Sequence, residues 1–347
     1  MKYLRTVIMM IPLLMVSCLE VETTSKVNPD GSIERSIQLK GSAESILETN
    51  FNVPRHDLEF WQISQDSLEE DNYLYLAEAK FESIDDLNQS FRRNAQDPGV
   101  QIKASLFINE GFFFTRYFYK EDIWADLGGP ELPMESYLTQ AELEALISNE
   151  TEAGAGHLDS VESARIEAGF DDYMQHLIFE DFIIELRKGG KRSGNLSVID
   201  GMIKEHSDSL LKALSSTNFY DENLVWKSVL EKYISRNTIE EVQAGNAEGF
   251  VQFYQRWQFF EEVLVDDYNF SIEMPGVIRK TSALDVRGNR MSWEPATIQL
   301  FFGGISLEAE SSVIKPWSLV MTGLLILLTL VVMVTGLIRQ RNRNRAV

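Results

Sequence analysis

Apolar and polar residues alternate with a period of two near both ends of this chain, and recur with a helical period in between. "LEVETTSKV" and "SIERSIQLKG" flank "NPDG", Asn28 to Gly31, where proline, aspartate and glycine take the positions a tight turn favours. That predicts a β-hairpin whose return strand shows Ile33, Ile37 and Leu39, with the alternation broken at Arg35. "NYLYLAEAKF" puts Leu74 and Leu76 on one strand face and Tyr73 and Tyr75 on the other. In "SIDDLNQSFRR", Ser83 is the predicted N-cap of a short helix with Ile84, Leu87 and Phe91 on one side. "VQIKASLFINEGFFFTRYFY" then predicts two strands joined by "NEG", rich in the aromatic and branched residues that suit a pleated surface.

From about Leu132 to Leu264 the period becomes helical. "FDDYMQHLIFEDFIIELRKGGKR" opens on Asp171 and Asp172 and closes on Arg187 and Lys188, charges that match the helix dipole, and its Gly-Gly predicts the stop. "NLVWKSVLEKYI" aligns Leu224, Val225, Val229 and Tyr233, and a second stripe carries Phe250, Phe253, Tyr254, Trp257, Phe260 and Leu264. "SNETEAGAGHLDS" is small and polar enough for a mobile loop. Strands are predicted again in "YNFSIEMPG", in "SALDV" and "RMSW" across "RGN", and in "TIQLFF" and "ISLEAES" across Gly303 and Gly304. The expected fold is α+β: an antiparallel sheet from the N- and C-terminal strands with a helical insertion over 132–264. Two lobes are the alternative, because one core rarely grows beyond about 250–300 residues.

The termini say where this fold resides. Lys2 and Arg5 precede a short apolar run, Val7 to Val16, and the small Ser17, which is the layout of a secretory signal over 1–17. Leu14, Met15, Val16, Ser17 and Cys18 resemble a bacterial lipobox, so Cys18 is the expected lipidation site and the first residue of the mature chain. It is the only cysteine, which excludes an intrachain disulfide. Residues 317–338 contain no charge, and at about 1.5 Å per residue a helix of that length covers roughly 33 Å, enough to cross a bilayer. Arg339, Arg341, Arg343 and Arg345 in the basic tail 339–347 place the C-terminus in the cytoplasm by the positive-inside rule. The body, 18–315, is therefore expected outside the cytoplasm at a bacterial inner membrane, with lipid and helix in the same bilayer. It holds all 53 acidic residues against 26 cations, a net charge of −27, which argues against nucleic-acid partners.

Cys18, the Asn28 to Gly31 turn, Pro275, Gly276, Ile278, Gly288, Asn289, Trp293 and the C-terminal helix with its basic tail together resemble the LppM-type bacterial envelope lipoproteins. The resemblance covers about the first 30 and the last 80 residues. Ser282 and Ala283 stand where that family tends to have Asn-Gly, and the central helices have no counterpart in it. It implies an envelope location and contact with lipids or glycolipids, and supplies no catalytic motif.

The residues themselves offer little chemistry. His56, His157, His176 and His206 are scattered; His176 and Glu180 share a helix face, but two ligands are too few for a metal. A nucleophile elbow and a phosphate loop are missing, and "NPDGSIE" lacks the alternating oxygens of a calcium loop. No catalytic residue, metal or cofactor is expected. The stripe of Phe250, Phe253, Tyr254, Trp257 and Phe260 reads as core, or alternatively as an apolar groove for an acyl chain. The expected function is non-enzymatic: a membrane-anchored lipoprotein that binds or organises a lipid or protein partner. The alternatives are a lipid or glycolipid carrier and, remotely, a hydrolase.

Overall fold

The computed structural model describes residues 19–55, 60–69, 72–150, 160–215 and 225–345. Its fold is α+β. Strands β1 (Glu20–Val27), β2 (Ile33–Gly41), β3 (Gln62–Glu69) and β4 (Asn72–Phe81) come first, with the short helix α1 (Ala43–Glu48) after β2 and α2 (Ile84–Asn94) after β4. The hairpin β5 (Gly99–Glu110) and β6 (Phe114–Asp126) follows. Helices α3 (Gln140–Glu150), α4 (Ser160–Ser193), α5 (Leu196–Ser215), α6 (Val225–Leu230), α7 (Arg236–Gly245) and α8 (Ala247–Val265) form the middle. The chain closes with β7 (Asp267–Glu273), β8 (Val277–Thr281), β9 (Asp285–Arg287), β10 (Arg290–Trp293), β11 (Ile305–Ile314) and α9 (Pro316–Arg345).

The strands make two sheets, β3-β4-β2-β1-β7-β10-β9 and β5-β6-β11-β8. N- and C-terminal strands meet twice, at β1–β7 and at β6–β11. The first of these pairs is parallel, so the large sheet is mixed rather than wholly antiparallel. A parallel pair needs a long crossover between its strands, and here everything between β1 and β7 supplies it. The opening turn forms as its residues require: Gly31 sits at φ +89°, its N–H donates to Asn28 O at 3.0 Å, and Ser32 N–H donates to Asp30 Oδ1. Ser83 caps α2 by accepting from Asp86 N–H, and Leu87 and Phe91 are buried beneath it.

Several expectations need correction. The strand alternation is not broken at Arg35, which points inward in phase with Ile33, Ile37 and Leu39. In β4 the face carrying Tyr75, with Ala77 and Phe81, turns inward, and Leu74 and Leu76 are only partly covered. "TIQLFF" does not pair; Thr297–Leu300 is a single 3₁₀ turn, and only the segment after Gly304 becomes a strand. The polar segment of β3 was not anticipated and pairs along the exposed side of β4. Gly189 and Gly190 do not end α4, which runs on to Ser193 before Gly194 adopts φ +80°. Their role is close approach: a Cβ on Gly189 would stand 2.3 Å from the Val242 carbonyl oxygen of α7, and one on Gly190 would stand 3.0 Å from Ile199 Cγ1 of α5. The predicted loop over "SNETEAGAGHLDS" falls largely outside the described residues.

The described residues form two apolar cores. One fills the space between the sheets and includes Ile33, Leu39, Phe51, Phe91, Ile123, Phe270 and Leu307. The other lies among the helices around Phe182, Leu186, Ile199, Trp226 and Phe253. Helix α8 joins them, with Phe259 and Val263 on the sheet side and Phe250, Phe253, Trp257 and Phe260 on the helical side. Phe301 bridges the seam, its ring 5.9 Å from Phe259 and 4.7 Å from Phe260.

Candidate functional site: the two poles of the sheets

The topology gives the sheets two distinct ends. β1 runs parallel to β7, and β7 passes through Pro275 and Gly276 into β8, whose Val277 pairs with Ser312 near the end of β11. The NPDG turn reaches the same end, since Tyr117 OH donates to Pro29 O at 2.9 Å. β1, β7 and β11 therefore all finish at one pole, and α9 leaves from it. Leu19 lies at the opposite pole, where its N–H donates to Asp266 Oδ1 at 3.1 Å and its carbonyl accepts from Asp267 N–H. Ten residues of β11 at about 3.3 Å each separate the poles by roughly 30 Å.

At the helix pole the chemistry is apolar. Pro316–Ile338 is long and apolar enough to cross a membrane, and none of its most apolar stretch is buried in the protein. Its threonines turn inward on their own helix: Thr322 and Thr329 donate to Ser318 O and Leu325 O, both at 2.7 Å, so these hydroxyls ask for no outside partner. The β5–β6 tip is locked to the start of this helix. Lys315 N–H donates to Phe113 O at 2.9 Å, Lys315 Nζ meets Glu110 at 2.9 Å, and the Phe112 and Trp317 rings meet edge-on at 5.1 Å.

At the other pole the chemistry is acidic. Asp266 sits beside Glu262 and Asp267, and burial, with its partial relief by the Leu19 N–H, leaves its carboxyl pushed up to about 7. Cys18, the expected lipidation site, lies outside the described residues, next in the chain to Leu19.

The remaining candidate residues are placed as follows. Phe250, Phe253 and Trp257 are at most 2 % exposed and Phe260 is 8 % exposed. They pack against Phe182, Trp226 and each other, and Tyr254 OH accepts from Trp226 Nε1 at 2.7 Å. As placed, these rings belong to the helical core. His176 engages Asp172, not Glu180, and His206 packs on Tyr233. His56 and His157 lie outside the described residues, and among those described no three metal-ligating side chains converge. An open cleft of about 420 Å³ lies on the outward face of the large sheet, lined by Lys26, Glu34, Phe60, Glu78, Lys80 and Glu273 among others.

Two buried ionic clusters escaped the sequence reading. Between the sheets, Arg35 Nη1 donates to Glu121 Oε1 at 2.8 Å, and Ser25 Oγ and Tyr119 OH donate to Glu121 Oε2. Burial, reinforced by the Glu121 charge, holds the Tyr119 hydroxyl well above its usual range. In the helices, Arg256 grips Asp181 through two bonds of 2.9 and 2.7 Å, and Trp257 Nε1 adds a third. Burial raises the Asp181 carboxyl and Arg256 opposes the shift. In each cluster the buried charges are paired with one another inside the core, the arrangement of a structural ion pair. The signal for the first was in the sequence: opposite charges at inward positions of two different strands.

No protein-family profile matches the chain, and no curated protein matches it in sequence. Among solved structures, the NMR structure of the folded domain of the Mycobacterium tuberculosis LppM protein is similar over 87% of this chain and 93% of that chain, at 8% identity and a TM-score of 0.32. A likeness of that extent transfers neither fold nor function, and the sequence resemblance to the LppM type stays a resemblance.

Proposed function

We propose that this chain is a membrane-anchored envelope lipoprotein, lipidated at Cys18, whose extracytoplasmic α+β body recognises a partner close to a bacterial inner membrane and performs no reaction of its own. The single observation that carries the reading is α9, an uncovered apolar helix long enough to cross a bilayer and followed by a basic tail. The body offers recognition surfaces rather than reactive ones, and the mixed-charge cleft around Lys26, Glu34, Glu78 and Lys80 is the place where a polar partner group would be held. The carrier alternative loses its support because the aromatic stripe is packed.

The test is direct. The mature N-terminal peptide should begin at Cys18 and carry acyl mass, and both should be lost in Cys18→Ser. A periplasmic reporter fused after Lys315 and a cytoplasmic one fused after Val347 should both be active. A mature chain that begins elsewhere removes the lipoprotein reading, and inverted reporters remove the topology.

A further inference from the structure

The β5–β6 hairpin ends in three consecutive phenylalanines, Phe112 to Phe114, with relative exposures of 53, 41 and 38 %. Such an aromatic run at a turn is costly to leave in water, since the large apolar area of each ring counts against it. The apolar surface continues around the same pole through Ile314, Val277 and Trp317, all at least half exposed. Two features fix its height. The Lys315 N–H to Phe113 O bond and the Phe112–Trp317 ring contact hold the tip at the first turn of α9. Trp317 opens the apolar span, and tryptophan at that place sits at headgroup level.

The geometry points to a second membrane contact: the Phe112–Phe114 tip inserts into the headgroup and acyl boundary of the bilayer that α9 crosses, and sets the tilt of the body over the membrane. It rests on α9 being a membrane helix. Because the tip is locked to the first turn of α9, helix and tip enter the bilayer as one unit and together define the tilt of the body. At the tip Lys315 and Glu110 neutralise each other at 2.9 Å, and the exposed aromatic rings, rather than a bound headgroup, make the contact with the lipid interface. An aromatic edge of this kind enters by roughly 5–10 Å.

The test uses the full chain in vesicles of phosphatidylcholine with phosphatidylglycerol. Cys18→Ser removes the only native thiol, so one introduced cysteine can carry an environment-sensitive dye. Three positions are compared: Phe113→Cys at the tip, Leu327→Cys in mid-helix, and the exposed Ser105→Cys, which lies farther up β5 at roughly 20 Å from the tip by strand spacing. The dye at 113 should emit to the blue and lose most of its intensity to a quencher placed high in the acyl chains. The dye at 327 should respond to a deep quencher, and the dye at 105 to neither. Quenching at 327 without quenching at 113 overturns the tip contact while α9 stands. Equal quenching at 113 and 105 also overturns it, since a body lying flat by that face would give the same result. Loss of quenching at 327 removes the membrane helix itself. Phe112→Cys repeats the measurement at a neighbouring ring, so misfolding of one variant cannot decide the outcome.

Discussion

Replacing Arg35 by methionine should destabilise the body far more than removing Arg35 and Glu121 together. Glu121 is fully buried and accepts from Arg35 Nη1, Ser25 Oγ and Tyr119 OH. In Arg35→Met its charge would keep two neutral donors and lose its cation, and breaking a buried pair from one side costs about 3–5 kcal/mol. Glu121→Gln strands the cation in the same way. Arg35 Nε and Nη2 have no hydrogen-bond partner among the described residues, so the desolvation of the guanidinium is only partly offset and the pair contributes little net stability. The double variant Arg35→Met with Glu121→Leu leaves Tyr119 OH able to donate to Ser25 Oγ, already at 3.2 Å, and should cost about 1–2 kcal/mol. Thermal unfolding of the detergent-solubilised chain, followed by near-ultraviolet dichroism, reads this out. At about 2–4 °C per kcal/mol for a large domain, each single variant should lower Tm by on the order of 10 °C and the double variant by much less. Additive losses would refute the argument, because they would mean that the two side chains act independently rather than as a coupled pair.

The two glycine predictions set helix contact against helix propensity. Gly189→Ala should destabilise by about 1–3 kcal/mol, since its Cβ meets α7 backbone, while Gly201→Ala, with nothing within 4 Å, should stabilise by about 0.5–1 kcal/mol, both read as Tm shifts. If Gly189→Ala also raised Tm, the close approach of α4 and α7 would be wrong. Asp266 predicts a pH dependence. An acid raised from 3.8 to about 7 binds its proton more tightly in the folded chain, so its stability contribution is fully present below pH 3.8 and is lost as pH rises through about 7. Asp266→Asn should therefore raise Tm by an amount that grows between pH 4 and about 7 and then levels off. A gain independent of pH would show that the carboxyl does not titrate there.

What the sequence determined by itself is what depends on neighbours along the chain. The NPDG turn, the Ser83 cap, the β5–β6 hairpin, whose turn falls on Gly111–Phe113 rather than on "NEG", and the apolar span of α9 are local: turn dihedrals, a cap three residues from its donor and an unbroken greasy run need no distant partner. What failed was whatever required knowing who sits across the core. Arg35 interrupted an apolar alternation only until Glu121, 86 residues away, arrived as its partner from the other sheet. Gly189 and Gly190 carried the local signature of a helix stop, yet α5 and α7 packed against them turned that signature into a contact requirement. "TIQLFF" had strand composition, but Ile298, Leu300 and Phe301 pack into the cores beside Phe259 and Phe260, and Thr297–Leu300 coils into a 3₁₀ turn instead. The opposition of Leu19 and α9 likewise comes from the parallel β1–β7 ladder, and a pairing direction between strands some 240 residues apart is set by how the whole sheet closes, not by either strand's own residues.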